Sequence, residues 1–335
     1  MPVLFCTSIH QLAGQPQVPV EFALWEVLPM DNTRENRIVF WLFLSPVLVA
    51  FLMVVIVPFI MGIFYSFTSW SSSARAGAGL EFIGLTNFTE SLSDPSFLYS
   101  FLLTFIYTAV NVLVINIASF ALALLVTSAI KGRNLYRIGF FLPNLIGGLI
   151  LGYVWQFIFN NAIPGLGKIW EFLAPLANPD NLILADRNAS ILALVAVGTW
   201  QYAGYIMMIY VAALESVPVE LHEAARIDGA NGWHRLRNIT IPMVAQAFTI
   251  TLFLTLVNSF KQFDVNVSLT AGGPSTMFLG KPIFGTELLA LDIYNTAFLA
   301  NNLAQGQARA FLFFLVLVVI SIIQVRTSKK REIEL

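Results

Sequence analysis

Lys261 and Asp264 stand three residues apart inside a long apolar run. On a helix that spacing places both on one face. Charges at membrane depth are costly, and they turn toward a cavity or toward one another. Two readings follow. One is a mutually neutralised pair near the end of a span, where a lysine stem can snorkel. The other is part of a site that hydrogen-bonds hydroxyl groups, because a carboxylate accepts and an ammonium donates. Asn258, Phe260, Gln262 and Phe263 lie beside the pair, and another apolar run carries Trp200, Gln201, Tyr202 and Tyr205. Amides and aromatic rings suit a ligand with hydroxyl rims and apolar C–H faces. Against that, Trp and Tyr also mark membrane interfaces, and Phe packs anywhere. Trp155 and Gln156 are weaker candidates of the same kind.

Other chemistry finds little support. Pro164-Gly165-Leu166-Gly167-Lys168-Ile169 superficially resembles a phosphate loop, but Ala162 occupies the required first glycine and no Ser or Thr follows Lys168. His10, His222 and His234 are scattered and form no metal set. The single cysteine, Cys6, excludes an internal disulfide framework. No basic block exists to hold nucleic-acid phosphates, and no nucleophile–base cluster stands out. No catalytic residue, no metal and no cofactor is expected in this chain.

A second constellation is polar and short. Glu223-Ala224-Ala225-Arg226-Ile227-Asp228-Gly229, followed by Ile239-Thr240-Ile241-Pro242, interrupts two apolar runs. Pro218 suits a first helical position, Glu220 and Glu223 complement the positive end of the helix dipole, and Gly229 supplies a left-handed stop. These signals predict a helix over 218–228, about three turns, too short to be stable alone in water. A connector lying on lipid would favour bulky apolar residues and a Lys-rich face. Small and acidic residues fit a protein cleft better.

The elements around these residues belong in a bilayer. The chain of 335 residues is 57% hydrophobic and 11% charged, far below the roughly 25% charged of soluble domains. Six stretches, at 38–64, 99–129, 138–159, 189–213, 243–267 and 308–325, supply the ~20 apolar residues that a spanning helix needs. Lys and Arg alternate between connections. Arg34, Arg37, Lys131, Arg133, Arg137, Arg226, Arg235, Arg237, Arg326, Lys329, Lys330 and Arg331 fall on one side. Arg75, Lys168, Arg187, Lys281 and Arg309 fall on the other. The bias puts both termini and the Glu223 loop in the cytoplasm. The expected organisation is a cytoplasmic tail at 1–36, a six-helix all-α membrane domain at 37–325 with a cytoplasmic loop at 216–242, and a basic tail at 326–335. Residues 1–29 fit nothing else, with Met30 as an alternative start. The long outward connections 68–98, 160–188 and 268–307 either pack helix ends or form a docking face.

The spacing E-A-A, three residues, G, nine residues, I, one residue, L-P resembles the signature loop of permease subunits in binding-protein-dependent ABC importers. Glu223, Ala224, Ala225, Gly229, Ile239 and Pro242 match it, with Ile241 in place of Leu. Phe82-Ile83-Gly84-Leu85-Thr86-Asn87-Phe88, Ala213-Leu214-Glu215-Ser216-Val217-Pro218 and Leu269-Thr270-Ala271-Gly272-Gly273-Pro274 are similar to the carbohydrate branch, and the resemblance covers about 36–330. It is closest to the larger maltose, multiple-sugar and glycerol-phosphate type permeases, without the larger maltose subunit's extra N-terminal spans. The resemblance implies a type I ABC importer permease fold in a bacterial-type cell membrane. It implies a second permease subunit, a cytoplasmic ATPase dimer that uses ATP and Mg, and an extracytoplasmic sugar-binding protein. Glu223, Ala224 and Ala225 would then sit in an ATPase groove, with Gly229 turning the chain. Tyr202, Tyr205, Asn258, Lys261 and Asp264 would line the sugar path, with charges where the maltose permease has amides. A secondary transporter would need a repeat and ion-linked carboxylates within spans. Asp264 is the only clear one.

Overall fold

A computed structural model describes residues 34–70, 80–128, 130–167 and 182–329. The expectations for residues 1–29, Arg75, Lys168 and the tail beyond Lys329 lie outside these. The chain divides into two units, Met1–Ile60 and Met61–Leu335. The described part of the first is apolar helix, counted with the residues after it as one span, α1 (Val39–Ser66). In the second unit, α2 (Thr86–Ser93) precedes the long α3 (Pro95–Thr127). Then come α4 (Arg133–Leu145), α5 (Gly148–Leu166) and α6 (Arg187–Glu215). The charged loop forms α7 (Val219–Ile227) and α8 (Gly232–Met243), followed by α9 (Ala245–Phe260) and α10 (Asp264–Leu269). An antiparallel hairpin of β1 (Ser275–Phe278) and β2 (Lys281–Phe284) leads to α11 (Leu289–Leu299) and α12 (Leu303–Lys329).

Four helices, α1, α3, α6 and α12, are long and apolar enough to cross a membrane, and two bent pairs bring the number to six. The expected third span, 138–159, is not straight: α4 and α5 meet at 98°. Pro143 sits in a 3-10 turn at Leu142–Leu145 and Gly147 is extended, so regular helical bonding stops there. The expected fifth span, 243–267, keeps its start to within two residues, at Ala245, and is corrected at its end. α8 and α9 meet at 70° beside Val244, after a π-helical turn at Leu236–Thr240 that precedes Pro242. Helix α9 then ends at Phe260, with Lys261 as its C-cap.

Two of the straight spans, α3 and α6, start from side-chain caps. Asp94 accepts a hydrogen bond from Ser96 N at 3.2 Å ahead of Pro95, and Asp186 accepts from Ala189 N at 2.8 Å. Along their length α3, α6 and α9 share a buried polar seam. Asn116 Nδ2 donates to Thr255 Oγ1 (2.9 Å), Tyr210 OH to Asn116 Oδ1 (2.8 Å), Thr251 Oγ1 to Tyr210 OH (2.7 Å), and Asn111 Nδ2 to Ser259 Oγ (2.8 Å). Without a hydrophobic driving force between helices in lipid, such bonds and close packing hold the bundle. The packing is closest at glycines. A Cβ on Gly204 of α6 would lie 1.8 Å from the Phe140 carbonyl oxygen of α4. Cβ atoms on Gly148 and Gly152 of α5 would strike Asp264 Cβ (2.7 Å) and Ser268 Oγ (1.8 Å) of α10.

At the end where α3 begins, one guanidinium joins three elements. Arg309 Nη1 of α12 donates to both Asp292 oxygens of α11 (2.8 and 3.0 Å) and to Thr296 Oγ1 (2.7 Å), while Nη2 donates to Asp94 Oδ2. Glu287, between the hairpin and α11, is buried and receives one amide donor, Asn295 Nδ2. Burial, and next the Asp292 carboxylate, push Glu287 up to about 7. Burial pushes Asp292 up to about 6, against the opposing pull of Arg309.

Two predictions follow from this packing. Gly204→Ala is expected to lose about 2–3 kcal/mol through overpacking, read as a lowered thermal midpoint. Gly165→Ala, whose Cβ meets nothing within 4 Å, serves as control. For the carboxylates, raised values mean that the folded protein holds more protons than the unfolded one between about pH 4 and 7. Stability in detergent therefore falls as pH rises through that window and levels off above about 7. Glu287→Gln should flatten the response above about pH 6, and a wild-type midpoint that is constant across this window would refute the assignment.

Candidate functional site

Helix α7 completes its own end. Gly229 adopts φ +79°. Ala230 N donates to Ala225 O at 2.9 Å and Gly229 N to Arg226 O at 3.1 Å, the paired bonds of a Schellman stop. Pro218 lies at the N-cap rather than at the first helical position, so the helix is Val219–Ile227. None of its residues is buried. Ile227 is 87% exposed, and Val219, Leu221 and, in α8, Trp233 also expose apolar surface. Glu223 is exposed and has no ion-pair partner among the described residues. Ala224 is exposed and Ala225 half-buried. Gly229, Asn231, His234, Arg235 and Ile239 border a recess of about 320 Å³ beside the helix. Pro242 is half-buried at the turn into α9. The root of α7 is fixed by Arg137 Nη2 of α4, which pairs with Glu215 Oε1 at the last residue of α6.

A second site lies where the bent pairs meet α6. A cavity of about 190 Å³ is lined by Gln201, Tyr202, Asn258, Lys261, Gln262 and Asp264, together with Gly148. The structure thus gathers Tyr202, Asn258, Lys261 and Asp264 around the cavity, while Tyr205 is not among its lining residues; both tyrosines also pack against the apolar cluster of Ile206, Met207 and Tyr210. The expectation that Lys261 and Asp264 share a helix face is overturned. Lys261 caps the end of α9 (φ −88°, ψ 12°), and Asp264 opens α10 after Phe263, whose backbone (φ −127°, ψ −57°) is not helical. Both are exposed, and the ion pairs among the described residues do not include this one.

Gln201 and Gln262, noted only as neighbours in the sequence, contribute more than expected. Each is 6% exposed, and Gln201 Oε1 and Gln262 Nε2 have no hydrogen-bond partner among the described residues. Their signal was present: an amide inside an apolar run carries donor and acceptor groups that must be satisfied somewhere. Gln201 Nε2 donates to Ile146 O at 3.4 Å, a carbonyl at the break between α4 and α5. The weaker candidates have structural surroundings. Gln156 Nε2 donates to Leu269 O (3.2 Å), and Trp155 packs edge-on against Trp200 (5.4 Å). Chemically, the cavity offers an ammonium, a carboxylate, amides and a phenol, all groups able to hydrogen-bond hydroxyls.

Residues 97–332 match the family described as the binding-protein-dependent transport system inner membrane component. The chain is 44% identical over 301 residues, 90% of its length and 97% of the relative's, to the probable starch degradation products transport system permease protein AmyD of Thermoanaerobacterium thermosulfurigenes. It shares the fold of a chain of a bacterial ABC transporter that imports the acidic polysaccharide alginate, with TM-score 0.73 and 17% identity over 92% of this chain and 99% of that one. The alginate transporter in complex with its pentasaccharide-bound periplasmic protein gives TM-score 0.71 at 17% identity, over 88% and 96% of the two chains. The chain belongs to the binding-protein-dependent transport system inner membrane component family.

Proposed function

We propose that this chain is the permease subunit of an ATP-driven importer for a sugar or oligosaccharide, and that with a second permease it encloses the translocation path. An extracytoplasmic binding protein delivers the sugar, and an ATPase dimer in the cytoplasm uses ATP and Mg. Both termini and α7 lie on the cytoplasmic side, as the Lys and Arg bias requires. The observation that carries this reading is α7 itself: a self-capped helix of about two and a half turns with no buried residue, exposing Val219, Leu221 and Ile227 beside a Glu223 that has no ion-pair partner among the described residues. A helix that short persists only when something holds it. An ATPase groove would take its small Ala224–Ala225 face, and motion there would pass to α6 and α8. The relative named for starch degradation products favours a neutral oligosaccharide as cargo. In that setting Lys261, Asp264, Gln201, Tyr202 and Asn258 meet sugar hydroxyls, and Gln262 supplies a further amide.

The decisive test is uptake by proteoliposomes holding the chain with its second permease, ATPase and binding protein. Gly229→Asp strains a left-handed position and places a charge at the docking surface, so transport is expected to be abolished while membrane insertion is retained. Normal uptake at normal expression would sink the coupling role. Asp264→Asn should lower uptake about tenfold through loss of one charged hydrogen bond. Unchanged uptake would remove Asp264 from the path.

A further inference from the structure

We propose that the groove between α3 and α6, at the end where both helices begin, binds one anionic phospholipid. Its walls are Leu103, Ile106 and Val110 of α3 and Ile191, Leu192 and Val195 of α6, enclosing about 340 Å³. Ile106 and Leu192 are 52% and 65% exposed, so the groove opens sideways from the bundle. At its head stand Arg187 and Asn188.

The head is built rather than incidental. Arg187 Nε donates to Tyr99 OH at 2.7 Å, and Tyr99 OH donates to Gly285 O at 2.6 Å. The guanidinium carbon lies 5.3 Å from the centre of the Tyr99 ring, within cation–π range. The Arg187 stem passes Gly285 so closely that a Cβ there would meet its Cγ at 3.2 Å. The side chain is therefore held in place, yet no acceptor among the described residues takes either terminal nitrogen. Asn188 is exposed, and its amide makes no hydrogen bond to the described residues. A held guanidinium whose terminal nitrogens have no acceptor among the described residues matches two oxygens of a phosphodiester.

Depth and polarity identify the occupant. At about 1.5 Å per residue, Arg187 to Val195 covers about 12 Å, close to the ~15 Å of one leaflet. The cation stands at the helix ends, where headgroups lie, and the walls below it are wholly apolar except for the Tyr107 ring. One amphiphile with a charged head and an acyl chain parallel to the helices fills both parts. Anionic headgroups complete the charge match; zwitterionic ones bring a competing cation.

The test uses the assembled importer in vesicles of phosphatidylcholine with a minor share of phosphatidylglycerol. Retained lipid is counted by native mass spectrometry after mild extraction. Wild type is expected to keep phosphatidylglycerol in preference to phosphatidylcholine. Arg187→Gln should lower that preference about fivefold, while Arg187→Lys keeps most of it. Leu192→Trp, which fills the wall, should release the lipid with Arg187 intact, so these last two variants decide the matter if Arg187→Gln fails to assemble. An unchanged preference in Arg187→Gln or Leu192→Trp would overturn the proposal. So would disulfide cross-linking of Leu192→Cys to cysteines in the second permease, which would make the groove a subunit contact.

Discussion

A helix in hydrocarbon can be interrupted only where another group takes up the backbone atoms that the interruption frees. Both sites of this protein are built on such interruptions. At the bend between α4 and α5 the Ile146 carbonyl accepts from the Gln201 side chain of α6. The same amide keeps its oxygen free at the cavity wall. At the other bend, a π-helical turn absorbs the irregularity ahead of Pro242 and delivers the chain from the charged loop into α9. Because lipid supplies no hydrogen bonds, the break between α4 and α5 is tied to a polar partner, the Gln201 amide.

Close approach is the second half of the arrangement. Gly148 and Gly152, one helical turn apart, let α10 press against α5 with Asp264 and Ser268 at the contact. Larger residues there would push Asp264 away from the cavity that Gln201 and Tyr202 complete. Meanwhile the seam of Asn116, Tyr210, Thr251 and Thr255 holds the straight spans together, so the bent elements act against a fixed frame.

Much of this was legible in the sequence. The Gly229 stop and the long apolar runs of α3 and α6 are local signals, and the structure realises them, whereas the Asp94-Pro95 and Asp186 starts were not read. The breaks were not read, because hydropathy measures how much apolar length is present and not its direction. Pro143, Gly147 and Pro242 were visible, but a proline inside an apolar run can kink a span or end it. The end of α9 was harder still. Nothing between Phe260 and Asp264 is a glycine or proline, so the spacing of Lys261 and Asp264 read as one helix face. Tertiary contact decided otherwise, and of the two tyrosines that pack against the apolar cluster, Tyr202 alone also lines the cavity.

The Arg309 guanidinium divides its donors between carboxylates on two separate elements, Asp94 at the head of α3 and Asp292 on α11. Those elements are thus not independently movable. A displacement that draws α11 away from α3 would make Arg309 give up one acid, at greater cost for Asp292, the more buried of the two, than for Asp94. One side chain of α12 therefore ties the start of α3 to α11.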